Sequence, residues 1–321
     1  MRIVDFDALP LGMWSQVQLL DLSAGWGMVD LKAMRMATKL GYPSADYFGV
    51  FAVENGEVLS TVRVTRIPYT LPNRRKEDVS AIGGVITRQD HSGQGLARKL
   101  LKEVHRREKA DGSRFSLLWT GRNNIAHHLY GSLGYVDIYT PELAMVKCIR
   151  KPDIPSKQYS LEKARSRDAK TIEQIHSDAT KNRVGFTPRV PGLLGILFKL
   201  GWVRPELFLL ILRDNKIIGY CELQKSQGWT RSTEIVVAGD KAEADHVIPP
   251  LEREAGNGWL ILGNTFVCDN YVALKTRGYS IASFAYTTLM GLSLDGMKSH
   301  DTARLLGAED AGFVCHRLDS F

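Results

Sequence analysis

Three groups of residues between Ala81 and Tyr135 have the types and spacing to do chemistry together. The first is the small-residue turn Ser92-Gly93-Gln94-Gly95-Leu96-Ala97, which follows an apolar strand. Its two glycines allow a tight turn and a close backbone approach, so the free N–H groups of the helix that follows can point at a phosphate. The second is Asn123-Asn124-Ile125-Ala126, and the third is Tyr130 ahead of Gly134-Tyr135. Taken singly, each has a plainer reading: a strand-to-helix connection, a helix cap, a core aromatic and a C-terminal glycine stop.

The elements that must position these residues follow from periodicity. Leu96, Ala97, Leu100, Leu101 and Val104 form one apolar helical face, opposite Arg98, Lys99, Lys102, Arg106 and Arg107, and Gly112 supplies a stop. Asn123 is placed to cap a second helix whose buried face is Ile125, Ala126, Leu129, Tyr130 and Leu133, closed by Gly134. Upstream, helices are expected around Gly12 to Ala24 and Val29 to Lys39. A hairpin (Phe48 to Val53, Val58 to Val64), the basic loop Pro72 to Asp78 and a strand from Val79 to Thr87 follow.

The pattern repeats. Phe208 to Leu212 and Ile217 to Leu223 form a second hairpin, and Trp259 to Leu262 leads to Asn270 and a Gly278-Tyr279 end. Helices are expected at Asp168 to Lys181, within Gly192 to Gly201, and at Lys241 to Ala255. The segment 150–157, with Pro152 and Pro155, reads as a linker. The expectation is therefore an α/β (α+β) protein with two copies of one unit, 1–149 and 158–321, each a mixed twisted sheet flanked by helices.

Together, the turn and the later helix resemble the GNAT superfamily of acyl-CoA-dependent N-acyltransferases. There a strand runs into an Arg/Gln-x-x-Gly-x-Gly/Ala turn, and an Asn-x-x-Ala helix carries a Tyr before a Gly-Phe or Gly-Tyr end. The matching residues are Ser92, Gly95 and Ala97, then Asn123, Ala126, Tyr130, Gly134 and Tyr135. Ser92 departs from the pattern by standing where Arg or Gln is usual, which leaves the backbone donors intact but removes a side-chain donor. Arg88, Arg98 and Lys99 are nearby sources of positive charge.

The resemblance implies acetyl-CoA as co-substrate and no metal. Val85, Ile86 and Thr87 would offer backbone groups to the pantetheine arm, as a sheet edge receives an added strand. Ser92, Gly93, Gln94, Gly95, Leu96, Ala97 and Arg98 would surround the diphosphate. Asn123, Ala126 and Tyr130 would lie toward the acetyl and sulfur end, with Tyr130 as proton donor, since a phenol's ordinary pKa exceeds that of a thiol. The implied activity is N-acetyl transfer to a primary amine, on a small molecule or a peptide, by direct attack in a ternary complex. The alternative is a non-catalytic acyl-CoA-binding sensor or interaction module.

No acid occupies Ala81 to Thr87, so the base stays open among Glu77, Asp78, His127, His128 and water. Tandem arrangements occur in mycothiol synthases and Eis-type acetyltransferases, and the latter use a terminal carboxylate as base, which would correspond here to Phe321. In the second copy, Gly239 to Asp245 has three acids and no glycine-spaced turn. No Tyr stands before Gly278-Tyr279 as Tyr130 stands before Gly134-Tyr135. A degenerate copy that binds no CoA is expected, able to shape an acceptor pocket at the junction.

Composition narrows the rest. In 321 residues, 44% hydrophobic and 24% charged, nothing suggests disorder. The net charge of +7 suits an anionic ligand, and its spread along the chain with no nucleic-acid motif argues against nucleic acid. Cys148, Cys221, Cys268 and Cys315 lack paired spacing, which reads as reduced thiols in a cytoplasmic protein. Asp5 and Asp7 interrupt any N-terminal signal, and Lys199, Arg204, Pro205 and Glu206 break the apolar run Val190 to Leu212, so no membrane span is expected.

Overall fold

The computed structural model describes residues 1–25, 31–42, 46–149, 158–238, 241–297, 301–310 and 312–315; the expected linker 150–157 and the terminal residues 316–321 lie outside them. In chain order come β1 (Arg2–Asp5), α1 (Trp14–Ser23), α2 (Leu31–Lys39), β2 (Gly49–Glu54), β3 (Glu57–Thr70), β4 (Lys76–Thr87), α3 (Leu96–Ala110), β5 (Phe115–Gly121), α4 (Ile125–Gly131), β6 (Val136–Tyr139) and β7 (Glu142–Lys147). There follow β8 (Tyr159–Lys163), α5 (Ala169–Thr180), β9 (Val184–Gly185), α6 (Leu193–Leu200), β10 (Phe208–Arg213), β11 (Lys216–Ser226), β12 (Trp229–Val237), α7 (Lys241–Ala255) and β13 (Trp259–Gly263). The chain closes with α8 (Thr265–Asp269), α9 (Tyr271–Thr276), β14 (Ser280–Ser283), β15 (Thr287–Ser293), α10 (Thr302–Leu306) and β16 (Phe313–Val314).

Two large mixed sheets result, each flanked by helices, which is the expected α/β class. The first runs β1-β2-β3-β4-β5-β15-β6, with β9 and β16 attached beside β3; the second runs β14-β7-β13-β12-β11-β10-β8. The two halves exchange a strand. β7, from before residue 150, sits between β13 and β14, while β15, from the far end of the chain, sits between β5 and β6. The division at 149/158 therefore separates halves of the chain but not the two sheets. Edge strands leave rows of unpaired amides, and here each half covers the other's edge.

Burial shows why the elements form where they do. On α3 the apolar stripe Leu96, Leu100, Leu101 and Val104 is buried, the last three in one core cluster with Val62, Val64, Ile82 and Leu118 of the first sheet. Each such side chain contributes roughly 1.5–3 kcal/mol. The opposite face is covered by α1, where Trp14 and Val17 pack with Phe51 and Ile86. The second sheet has the same two-sided cover, α7 on one face (Val247, Ile248, Leu251) and α5 with α6 on the other (Ile172, Leu194, Phe198). The expected basic loop Pro72 to Asp78 is shorter than the sequence suggested, because Lys76 to Asp78 pair with Thr70 to Pro68 and extend the hairpin.

Candidate active site

The site begins with a break in strand pairing. β4 and β5 pair in parallel from Ser80–Ser116 to Ile82–Leu118, and no pair follows. Beyond Ile82, β4 carries a bulge: Arg63 faces Gly83 and Thr61 faces Ile86, so three steps on β4 match two on β3. Gly84 takes the positive φ of +53° that this bulge requires, and a Cβ there would stand 3.0 Å from Arg63 Cδ. Arg63 is itself held by the buried carboxylate of Asp21, at 2.6 and 2.7 Å. A bulge bends its strand, so Val85, Ile86 and Thr87 leave β5 and their edge facing it has no strand partner. At the fork, the buried indole N–H of Trp119 has no acceptor among the described residues.

β4 feeds the exposed turn Ser92 to Gly95. Gly93 and Gly95 have φ of +76° and +75°, values that L residues rarely adopt, with open space where a Cβ would be. The first helical amide to find an acceptor is that of Lys99, bonded to the Gly95 carbonyl at 3.0 Å. Among the described residues, the N–H groups of Gly93, Gln94, Gly95, Leu96, Ala97 and Arg98 have none, and together with the helix dipole they favour an anion. Of the cations named from sequence, Arg88 is bound by Asp90 and Glu57 at 2.7 and 2.9 Å, and Arg98 donates to Ser132 at 2.7 Å, tying α3 to α4. Lys99 is exposed and unpaired among the described residues.

α4 presents Tyr130 to the buried side of this region. Tyr130 belongs to the core cluster that holds Leu100, Leu101 and Val104, and its ring meets Tyr135 edge-on at 5.8 Å. Burial pushes its pKa up to about 12, which keeps the phenol protonated through neutral and alkaline pH. Two sequence expectations for α4 are corrected. The residue at the N-cap is Asn124, not Asn123, and it makes no side-chain cap bond, while Asn123 is exposed. Ile125 is 88% exposed rather than part of the buried face, because the helix begins at that residue and its first turn projects beyond the end of β5. Ala126 is half-buried against the core, as expected.

The candidate bases are dispersed. His127 pairs with Asp137 at 3.0 Å on the surface and His128 is exposed. Glu77 lies at the start of β4, with one oxygen 3.4 Å from Arg114 and the other buried without a partner. Residues 318–321, including the terminal carboxylate, lie outside the described residues.

Sequence reasoning missed a buried relay on α3's inner side. His105 Nε2 is 2.8 Å from the Tyr135 hydroxyl, which is 2.6 Å from Ser116 Oγ. Burial lowers the His105 pKa to about 4, so this imidazole is neutral at pH 7. Nearby, Glu108 is fully buried and accepts from Tyr47 at 2.8 Å and from Arg66 at 3.1 Å. The available signal was an acid on the apolar side of an otherwise amphipathic helix. Among the described residues no group of three or more His, Cys, Asp or Glu could hold a metal ion, and all four cysteines are free.

A bulged strand, a fork beside it and a glycine turn at a helix N-terminus make one arrangement, and residues 18–137, which contain it, match the family model described as an acetyltransferase (GNAT) domain. The chain carries a GNAT acetyltransferase domain. It is an acyltransferase domain by class. The fold likeness extends over both halves of the chain. A GCN5-related N-acetyltransferase from Kribbella flavida is 16% identical with a TM-score of 0.65, over 92% of this chain and 71% of that one. A probable N-acyltransferase from Enterococcus faecalis is 12% identical with a TM-score of 0.67, over 92% and 73%. Eis1 from Mycobacterium abscessus is 14% identical with a TM-score of 0.62, over 92% and 74%. At these identities the likeness is one of fold. No curated protein matches the chain in sequence. Among the described residues no helix is long and apolar enough to cross a membrane.

Proposed function

We propose that this protein is a cytoplasmic N-acetyltransferase that moves an acetyl group from acetyl-CoA to a primary amine, on a small molecule or a peptide, by direct attack in a ternary complex. One observation carries the reading: a fork between β4 and β5 opens beside six unsatisfied N–H groups at the start of α3. That pairing of a free strand edge with an anion cradle fits a ligand with an amide-bearing arm and a diphosphate. The residues of this chain then divide the work. Gly93 to Arg98 hold the diphosphate and Lys99 adds positive charge. The edge of Val85 to Thr87 aligns the arm, and Asn123 and Ala126 flank its end.

The chemistry needs little else. The amine nitrogen bonds to the thioester carbonyl carbon, the C–S bond breaks with its electron pair on sulfur, and Tyr130 gives its phenolic proton to that sulfur. The surplus proton on the new amide nitrogen leaves through water and restores Tyr130. Because burial keeps Tyr130 protonated, the donor is in its working form before attack begins. The test is a thermal shift with acetyl-CoA followed by a free-thiol assay over an amine panel. Stabilisation by acetyl-CoA and amine-dependent thiol release support the proposal. A shift with no amine-dependent release would indicate a binding module, and no shift would overturn both readings.

A further inference from the structure

A second cavity, of about 690 Å³, lies at the seam between the halves, among α5, the segment leading into α6 and the start of β4. It is far from the fork. Lys76 on its wall is six residues before Ile82 on a regularly paired strand, which places it about 20 Å from where β4 leaves β5. An amine held there could not reach a thioester in the fork.

Its charge is one-sided. Lys76, Arg167, Lys170 and Lys181 line it, all four are exposed, and among the described residues none of them pairs with an acid. The one acid of the lining, Glu173, is already committed: its two oxygens accept from the backbone N–H groups of Gly192 and Leu194 at 3.0 and 2.7 Å, at the start of α6. The fifth cation of the lining, Arg189, is neutralised from behind by buried Glu234 at 3.0 Å and also donates to the Tyr220 hydroxyl at 3.1 Å. That hydroxyl is held in turn by His176 at 3.3 Å, so the floor is a fixed polar layer. The seam itself is fixed by Arg74 donating to the Asn182 carbonyl and by Thr70 bonding Thr187, each at 2.6 Å.

From this we infer that the seam cavity is a second ligand site, one that takes a small organic polyanion such as a sugar bisphosphate or a polycarboxylate. Four uncompensated cations around one concavity repel each other and raise the local concentration of anions, and the volume is that of an ordinary small-molecule site. Concavity argues for a small ligand over a polymer, which a flat or striped basic surface suits better. The inference does not depend on the transferase reading, since no residue of the fork takes part.

The test uses the full chain and calorimetric titration with inorganic phosphate, citrate and fructose 1,6-bisphosphate, each with and without saturating acetyl-CoA. Saturable binding of citrate or the bisphosphate at one site is expected, tighter than for phosphate, undiminished by acetyl-CoA and weakened as salt rises. The double variant Lys170→Glu/Lys181→Glu should weaken it tenfold or more. Lys102→Glu/Lys109→Glu, which makes the same change in net charge on α3, should leave it within twofold. No saturable binding, equal loss in both variants, or displacement by acetyl-CoA would each overturn the inference. So would tighter binding of a short DNA duplex that the first variant abolishes, which would make the site a polymer surface.

Discussion

The two halves keep the same bent strand and use it differently. In the first, β4 bulges between Gly83 and Ile86; in the second, β12 bulges between Arg231 and Glu234, opposite Gln224 and Glu222. Both strands then leave their parallel neighbour, β4 after Ile82 and β12 after Ser232. At matching positions beyond the bulge the first half places Ile86, buried under α1, and the second places Glu234, fully buried and bound to Arg189 and Tyr220. Where the first half has Tyr130 four residues before Gly134, the second has Leu274 four before Gly278, deep in its core. The bulge and the fork beyond it thus occur in both copies, while the side chains around them differ. The fold supplies the fork, and a few residues decide whether it can work.

The largest effect is expected when the halves are separated. Residues 1–149 expressed alone lack β15, so β5 and β6 lose the strand between them. We expect that fragment to aggregate or remain unfolded, with no acetyl-CoA-dependent thermal shift, and co-expression with 158–321 to restore it. A cooperative melt of the isolated first half would show that the exchange is dispensable.

Next in size is Glu234→Ala. It removes the buried carboxylate that Arg189 and Tyr220 both bond and should cost about 3–5 kcal/mol in urea unfolding. The matching change in the first half, Ile86→Ala, removes apolar packing alone and should cost about 2–5 kcal/mol. A loss at Glu234 below that at Ile86 would mean the buried pair is not a structural replacement for the apolar contact.

Tyr130→Phe keeps the ring in its packing and removes the phenol proposed as proton donor. Thiol release should fall about 10²- to 10⁴-fold in kcat with acetyl-CoA affinity nearly unchanged. Because the Tyr130 pKa stands near 12, the wild-type rate should show no fall from its ionisation between pH 7 and 10. Gly95→Val forces a β-branched residue into positive φ, at a cost of about 1–2 kcal/mol, and should weaken acetyl-CoA binding roughly tenfold by titration calorimetry. Asp245→Ala, within α7 of the second half, should leave that affinity unchanged.

The remaining effect is confined to acid pH and belongs to His105. Its folded pKa near 4 lies below the ordinary 6.5, so between those values the unfolded chain takes a proton that the folded one refuses. Stability should therefore fall as pH drops from about 6.5 toward 4 and level off below, and His105→Leu should remove that part of the slope in urea midpoints at pH 7 and 4.5.

Much of this was legible in the sequence. The stripe Leu96, Leu100, Leu101, Val104 fixed α3, the polar turns at Asn55-Gly56 and Asp214-Asn215 marked both hairpins, and Gly93 with Gly95 marked the cradle. Helices α5, α6 and α7 fall within a residue of their expected ends. These are local features, set by the spacing of side chains on one element or by the φ angles a glycine permits. The cap at Asn124 and the exposure of Ile125 were missed because a helix start depends on where the preceding strand ends.

The meetings of distant residues, by contrast, come from packing. Asp21 with Arg63, Arg66 with Glu108, and Arg189 with Glu234 are each more than forty positions apart, and their periodicity reads as ordinary surface charge until burial pairs them. The exchange of β7 and β15 is of the same kind. Alternation says that a segment is a strand and which of its faces is apolar, but not which edge it will cover. Local spacing therefore foretold the glycine turn, the helix after it and the later helix that carries Tyr130. Packing of the two halves decided that the fork stands open beside them, and that four lysines and arginines face one cavity at the seam.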